Sequence, residues 1–158
     1  MRRLEQLTLL VIVFIAVVWL LGHSIAALSA GPYPAEVVKV KDGDTVRVSA
    51  EVWPDLFIRT DVRIVGIDTP ESRRGKKGGV QIPECEIALG SIAKKTAENL
   101  LIGGREVYLV DVDPKKTKYA GRISGDLLVD GSRFSRLMVL SGLAVPYSGG
   151  ARSIWPCE

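Results

Sequence analysis

Three short clusters hold most of the side chains that can do chemistry. The first is Asp42-Gly43-Asp44-Thr45, set between two strand-like runs. The second is Arg63-Ile64-Val65-Gly66-Ile67-Asp68-Thr69-Pro70-Glu71, a β-branched run that leads into a tight acidic corner. The third is Lys118-Tyr119-Ala120-Gly121-Arg122, a basic turn at the start of another strand-like run. Each has an ordinary reading when taken singly. Asp-Gly is a strong hairpin dipeptide, and the acidic corner reads as a capped loop beside an exposed arginine. The basic turn reads as solvated surface. Together they offer more. Asp44 and Asp68 supply hard oxygen ligands suited to calcium or magnesium. Arg63 and Arg122 each present a planar fork to phosphate oxygens. Glu71 is a candidate base for a water molecule. That set describes a metal-and-arginine phosphodiesterase site.

One absence narrows the chemistry further. The 158-residue chain has a single histidine, His23, which lies in its apolar N-terminal segment. Imidazole acid–base catalysis, histidine-ligated zinc and a Ser-His-Asp relay are therefore excluded for residues 31–158. The acidic turn is not an EF-hand loop, since the spaced acids and the closing glutamate are missing.

The order DGDT, then R-x-x-x-x-D-T-P-E, then K-Y-x-G-R, then G-L-A, resembles the staphylococcal nuclease (thermonuclease) family. The resemblance covers about Ala35 to Tyr147. It implies a mainly β fold: a five-stranded OB-fold barrel with two or three α-helices. It also implies calcium held by the carboxylates of Asp44 and Asp68 and the carbonyl of Thr69. Arg63 and Arg122 would offset the charge that builds on a five-coordinate phosphate, and Glu71 would activate the attacking water. Lys118 and Tyr119 would line the phosphate side of a nucleotide, with Tyr147 near the base. The substrates implied are DNA and RNA, single-stranded by preference, cut to 3′-phosphate products. No protein partner is implied. Ala120 departs from the pattern as an extra residue between Tyr119 and Gly121, and the 72–83 loop need not match in length.

The surrounding elements must bring these clusters together. Ala35 to Lys41 alternates valine with polar residues, Thr45 to Trp53 continues that period, and Leu56 to Ile67 comes after a Pro54-Asp55 turn. These segments predict a three-stranded meander. Strict alternation would put Arg63 and Asp68 on opposite faces, and a bulge at Gly66 could reunite them. The 68–83 segment reads as loop. Glu84 to Leu101 is the clearest helix, with Leu89, Ile92, Ala93, Thr96, Ala97, Leu100 and Leu101 as its apolar stripe and Cys85 near it. Arg105 to Asp111 and Ile123 to Val129 predict two more strands. Ser132 to Ser141 predicts a short helix stopped at Gly142.

Residues 1–30 form a separate unit of sequence: Arg2 and Arg3, an apolar run from Leu7 to Leu21, then small residues up to Ala30. A cleavable signal and a retained membrane anchor both fit that pattern. Either places residues 31–158, the predicted nuclease domain, outside the cytoplasm. Any membrane association would run only through this segment. The whole chain carries a formal charge of +3, too small for a bulk basic field. Basic runs at Arg73–Lys77, Lys94–Lys95 and Lys115–Lys118 read as solvated surface rather than as a phosphate track, and their meaning depends on what lies beside them. Cys85 and Cys157 are the only cysteines. In an oxidising compartment the pair favours one disulfide, which would remove roughly 4 kcal/mol of unfolded-state entropy and tie the tail to the domain. The rival to the enzyme reading is an OB-fold module that binds nucleic acid or protein without turnover.

Overall fold

The computed structural model describes residues 31–113 and 121–156. The predicted N-terminal hydrophobic helix, together with Lys118, Tyr119, Ala120 and Cys157, lies outside the described residues. Among the described residues no helix is long and apolar enough to cross a membrane.

Among the described residues, ten strands and two helices succeed one another. They are β1 (Tyr33–Asp42), β2 (Thr45–Trp53), β3 (Leu56–Ile64), β4 (Ile67–Asp68), β5 (Lys76–Lys77) and β6 (Val80–Gln81). Then come α1 (Glu84–Leu101), β7 (Val107–Asp113), β8 (Arg122–Val129), β9 (Ser132–Arg133), α2 (Phe134–Leu140) and β10 (Val145–Pro146). The long strands pair in the order β3-β2-β1-β7-β8, and β3 also pairs with β8, which closes a five-stranded barrel. All the long-strand pairings are antiparallel except β3 with β8, which runs parallel and aligns Asp61 with Arg122 and Arg63 with Ser124. That closure, with a helix inserted after the third long strand, is the architecture expected from the sequence.

Alternation explains which side of the barrel each residue takes. Val46, Val48, Val62 and Ile64 are at most 1% exposed, and they alternate with the polar residues Thr45, Arg47, Asp61 and Arg63. The inward set forms the core with Leu109, Leu127 and Val129. The outward set of β3 becomes the functional face. Helix α1 lies against β1, and α2 lies against β8 and β9. The first turn of α2 is satisfied by Asp126 on β8, whose carboxylate accepts from Ser135 N at 3.1 Å and Ser135 Oγ at 2.6 Å. A neighbouring strand supplies this cap, since the residue at the cap position, Arg133, offers no side-chain bond.

Four local expectations need correction. The first strand begins before Ala35, because Tyr33 and Pro34 pair with Leu109 and Tyr108 of β7. The 68–83 segment is not wholly loop: β4 pairs with β10, and β5 pairs with β6 as a small hairpin. Ser132 and Arg133 precede the second helix as β9, held to β8 by pairing. The buried stripe of α1 is Glu86, Gly90, Ala93, Ala97 and Leu101, while Ile92 is exposed and Cys85 only half-buried. The stripe is shifted because small residues let α1 approach the barrel closely.

Candidate active site

The site is built around the end of β3. Gly66 follows at φ 79°, a left-handed conformation that a side chain would strain. The resulting turn breaks strand alternation, so Arg63 and Asp68 share a face. Arg63 Nη2 donates to the Ile67 carbonyl at 3.3 Å and stands 3.6 Å from Asp68 Oδ1. Its Nη1 is ion-paired with Asp44 Oδ2. Asp44 comes from the β1–β2 turn, where it accepts a bond from Thr45 Oγ1 at 3.0 Å. Its carbonyl accepts from Ile64 N at 2.9 Å, fastening the acidic turn to β3. The DGDT segment is thus both a hairpin turn and the bearer of a site carboxylate.

Asp44, Asp68 and Thr69 are each no more than 4% exposed. The side chain of Arg63 retains 21% exposure. Burial is the main reason its pKa is lowered to about 10, with Arg152 and Arg122 pushing the same way and Asp68 and Glu71 opposing. Arg122 therefore lies within electrostatic reach of Arg63. The register agrees, since Arg122 aligns with Asp61 and Arg63 with Ser124 on one outward face of β3 and β8. Asp61 itself is held below the usual carboxylate range by its hydrogen bond from Arg47, aided by Lys41 against the opposing effect of burial.

Glu71 is fixed by its backbone and its side chain. Its N–H donates to Glu86 Oε1 at 3.2 Å. Helix α1 comes so close at Gly90 that a Cβ there would lie 2.3 Å from the carbonyl carbon and oxygen of Glu71. The next residue, Ser72, donates from Oγ to Asp42 Oδ1 at 2.5 Å. The carboxylate of Glu71 pairs with Arg152 Nη1 at 2.7 Å. Tyr147, half-buried, donates its N–H to the Gly66 carbonyl at 2.8 Å. With Arg63, Gly66 and Ser124 it lines an open cleft of about 630 Å³.

Of the residues singled out in the sequence, Asp44 and Asp68 pair with Arg63, Arg152 links Asp68 to Glu71, Arg122 lies within electrostatic reach of Arg63, Thr69 is buried next to Asp68 in the chain, and Tyr147 lines the cleft. Three residues escape a reading of the sequence: Lys77, Glu86 and Arg152. Glu86 carries a legible signal, because it lies four residues before Gly90 and seven before Ala93, on the buried side of the helix. A charge at such a position needs a partner. Lys77 supplies it, reaching Glu86 Oε1 at 2.6 Å with both side chains buried. Its place in a basic run hides it. Arg152 gives no sequence signal.

Asp44, Asp68 and the Thr69 carbonyl offer only oxygen as ligands, which fits a hard cation and disfavours zinc. Both carboxylates are paired with side-chain cations, Asp44 with Arg63 and Asp68 with Arg63, Lys77 and Arg152. Among the described residues no three His, Cys, Asp or Glu side chains form a metal-holding group. A cation here would rest on the two aspartates and backbone oxygen, with water and phosphate completing its shell. Cys85 does not stand as a free thiol, and its expected partner lies outside the described residues.

No curated protein matches the chain. The family described as Staphylococcal nuclease homologue matches residues 61–153. That span takes in the end of β3 from Asp61, the acidic corner, α1, β7, β8 and the tail through Ser153, and Asp44 lies before it. The chain belongs to the staphylococcal nuclease family.

Proposed function

We propose that this protein is a calcium-dependent endonuclease that hydrolyses DNA and RNA, preferring single strands, with little regard to sequence. The observation that supports this most is the gathering of Asp44, Arg63, Asp68 and Glu71, contributed by a turn, a strand and a corner, beside one open cleft. The cleft's volume is of the size that takes a small ligand such as a nucleotide. Nuclease-type chemistry is also what membership of the family suggests.

In this reading Asp44 and Asp68, with the carbonyl of Thr69, hold calcium. The bound ion would draw charge from a phosphate oxygen and favour a nucleophilic water. Glu71 takes a proton from the water whose oxygen attacks phosphorus. The bond from phosphorus to the 5′-oxygen breaks, and that oxygen takes up a proton to leave as a hydroxyl. The other product keeps a 3′-phosphate. Arg63 and Arg122 stand where negative charge builds on the phosphate oxygens, and their forks match that geometry. Tyr147 supplies an aromatic edge at the cleft for a base, and Lys118 and Tyr119 contribute from the turn before β8. The N-terminal segment carries the domain out of the cytoplasm, and Cys85 pairs there with Cys157.

The test uses the full chain with heat-denatured DNA and calcium, with and without a chelator. Cleavage that ends on chelation and leaves 3′-phosphate termini is expected. Chelator-resistant cleavage, or full activity in both Arg63→Ala and Glu71→Gln, would overturn the reading.

A further inference from the structure

The C-terminal segment after β10 reaches back into the acidic corner. Arg152 Nη1 lies 2.7 Å from Glu71 Oε1 and 3.1 Å from Asp68 Oδ1, so one nitrogen joins two carboxylates that the proposed function uses in different roles. The contact is a built feature, held on both sides. Before it, Val145 pairs with Asp68, and Tyr147 bonds to Gly66 through its N–H. After it, the Ser153 carbonyl accepts from Lys77 Nζ at 3.3 Å and Trp155 N donates to Glu86 Oε2 at 3.0 Å. The Tyr147 hydroxyl donates to the Gly150 carbonyl at 2.6 Å, which shapes the turn between these anchors.

We infer that Arg152 is a positioning residue: it holds the Glu71 and Asp68 carboxylates in register, and the tail thereby completes the active site. This rests on the nuclease reading. The backbone of Glu71 is set by Glu86 and Gly90, but those contacts leave its side-chain torsions open. A carboxylate that must meet one water at one angle needs its rotamer fixed. Arg152 takes Oε1 and leaves Oε2 to act. A displacement of about 1 Å in such a group typically costs about a hundredfold in rate. Arg152 is thus expected to act through the orientation of Glu71 and Asp68 and only weakly through substrate affinity.

The test is steady-state kinetics of the full chain on denatured DNA with calcium, comparing wild type with Arg152→Ala and Arg152→Lys. Arg152→Ala is expected to lose about tenfold to a hundredfold in kcat with KM within about threefold. Arg152→Lys, which keeps the charge, recovers part of that loss. If the alanine variant does not fold, Arg152→Gln carries the same comparison. An unchanged kcat, a raised KM alone, or a kcat above wild type would overturn the assignment; the last would mark the tail as a latch over the site. A wild type that hydrolyses nothing would sink the nuclease reading together with this one. An active wild type with an unimpaired Arg152→Ala would sink this one alone.

Discussion

Lys77 Nζ stands 2.6 Å from Glu86 Oε1, and neither side chain is more than 4% exposed. The pair joins the small β5–β6 hairpin to the first turn of α1. Glu86 then shares its remaining acceptor capacity between Glu71 N on the acidic corner and Trp155 N on the tail. One buried carboxylate thus links three segments that carry the site. A buried pair of this kind is weak evidence of net stabilisation, but removing one partner leaves an uncompensated charge.

Glu86→Ala is accordingly expected to destabilise the fold by about 3–5 kcal/mol. Lys77 would lose its nearest counter-charge and keep only Asp68, 3.8 Å away and shared with Arg63 and Arg152. Urea denaturation measures this directly. The double variant Lys77→Met with Glu86→Leu should be less destabilised than the sum of the single changes. Additive effects would mean that the two side chains are energetically independent.

The same carboxylate predicts an acid response. Burial raises the Glu86 pKa, but its bonds from Lys77, Trp155 N and Glu71 N outweigh that and leave it lowered. The unfolded chain therefore binds the proton more readily than the folded one. The stabilisation is present above the unfolded carboxylate value of about 4.3 and is lost as pH falls through the lower folded value. Denaturation midpoints of wild type and Glu86→Gln should be well apart at neutral pH and converge at strongly acidic pH. A gap that does not change with pH would contradict the linkage. Asp61, lowered by Arg47, adds to the wild-type slope with the same sign.

Gly90→Ala probes the seating of Glu71. The added methyl would meet the Glu71 backbone at 2.3 Å and Ser72 N at 2.6 Å, so α1 or the corner must move. A loss of about 1–3 kcal/mol is expected from overpacking, together with a fall in hydrolysis larger than that of a surface helix variant such as Lys95→Ala. Lys95 is a fair control because its side chain is 72% exposed. Equal activity in the two variants would show that the corner tolerates displacement.

For the arginines proposed to face phosphate, Arg63→Ala should lower hydrolysis by about a hundredfold to a thousandfold, the usual effect of removing one donor to developing charge. Arg63→Lys should recover only part of it, since an ammonium cannot replace a planar fork. Full recovery by lysine would reduce the role of Arg63 to charge alone.

The disulfide is checked by mass. The intact non-reduced chain should weigh two hydrogens less than the reduced chain, and Cys85→Ser should loosen the segment that carries Trp155. Free thiols in the protein isolated under oxidising conditions would refute the pairing.

The barrel and the centre of the site are legible in the sequence for identifiable reasons. Valine alternation in β1 and β2 marks the inward face, and the paired glycines after Leu101 mark the end of α1. Asp44, Arg63 and Asp68 can be read because spacing within single segments almost fixes their directions, with Gly66 as the irregularity that brings Arg63 to Asp68. Lys77, Glu86 and Arg152 are not legible in the same way. Each depends on contact between segments far apart in the chain, and the short pairings of β4 with β10 and β5 with β6 are two-residue ladders with no periodicity to detect. The start of α2 misleads because Ser132 and Arg133 pair with β8, and the helix's first turn is capped by Asp126, six residues before Ser132 and on another strand.

The parallel meeting of β3 and β8 also sets the order in which the site can come into being. Asp44, Arg63, Asp68 and Glu71 emerge from the ribosome well before Arg122, and only ring closure by the strand that begins at Arg122 sets the second guanidinium beside the first. A nascent chain halted before that point has the acidic residues and Arg63 without the second guanidinium, and closure between such distant positions is entropically slow. The proposed nuclease activity would therefore arrive late in folding, after most of the polypeptide has cleared the machinery that made it.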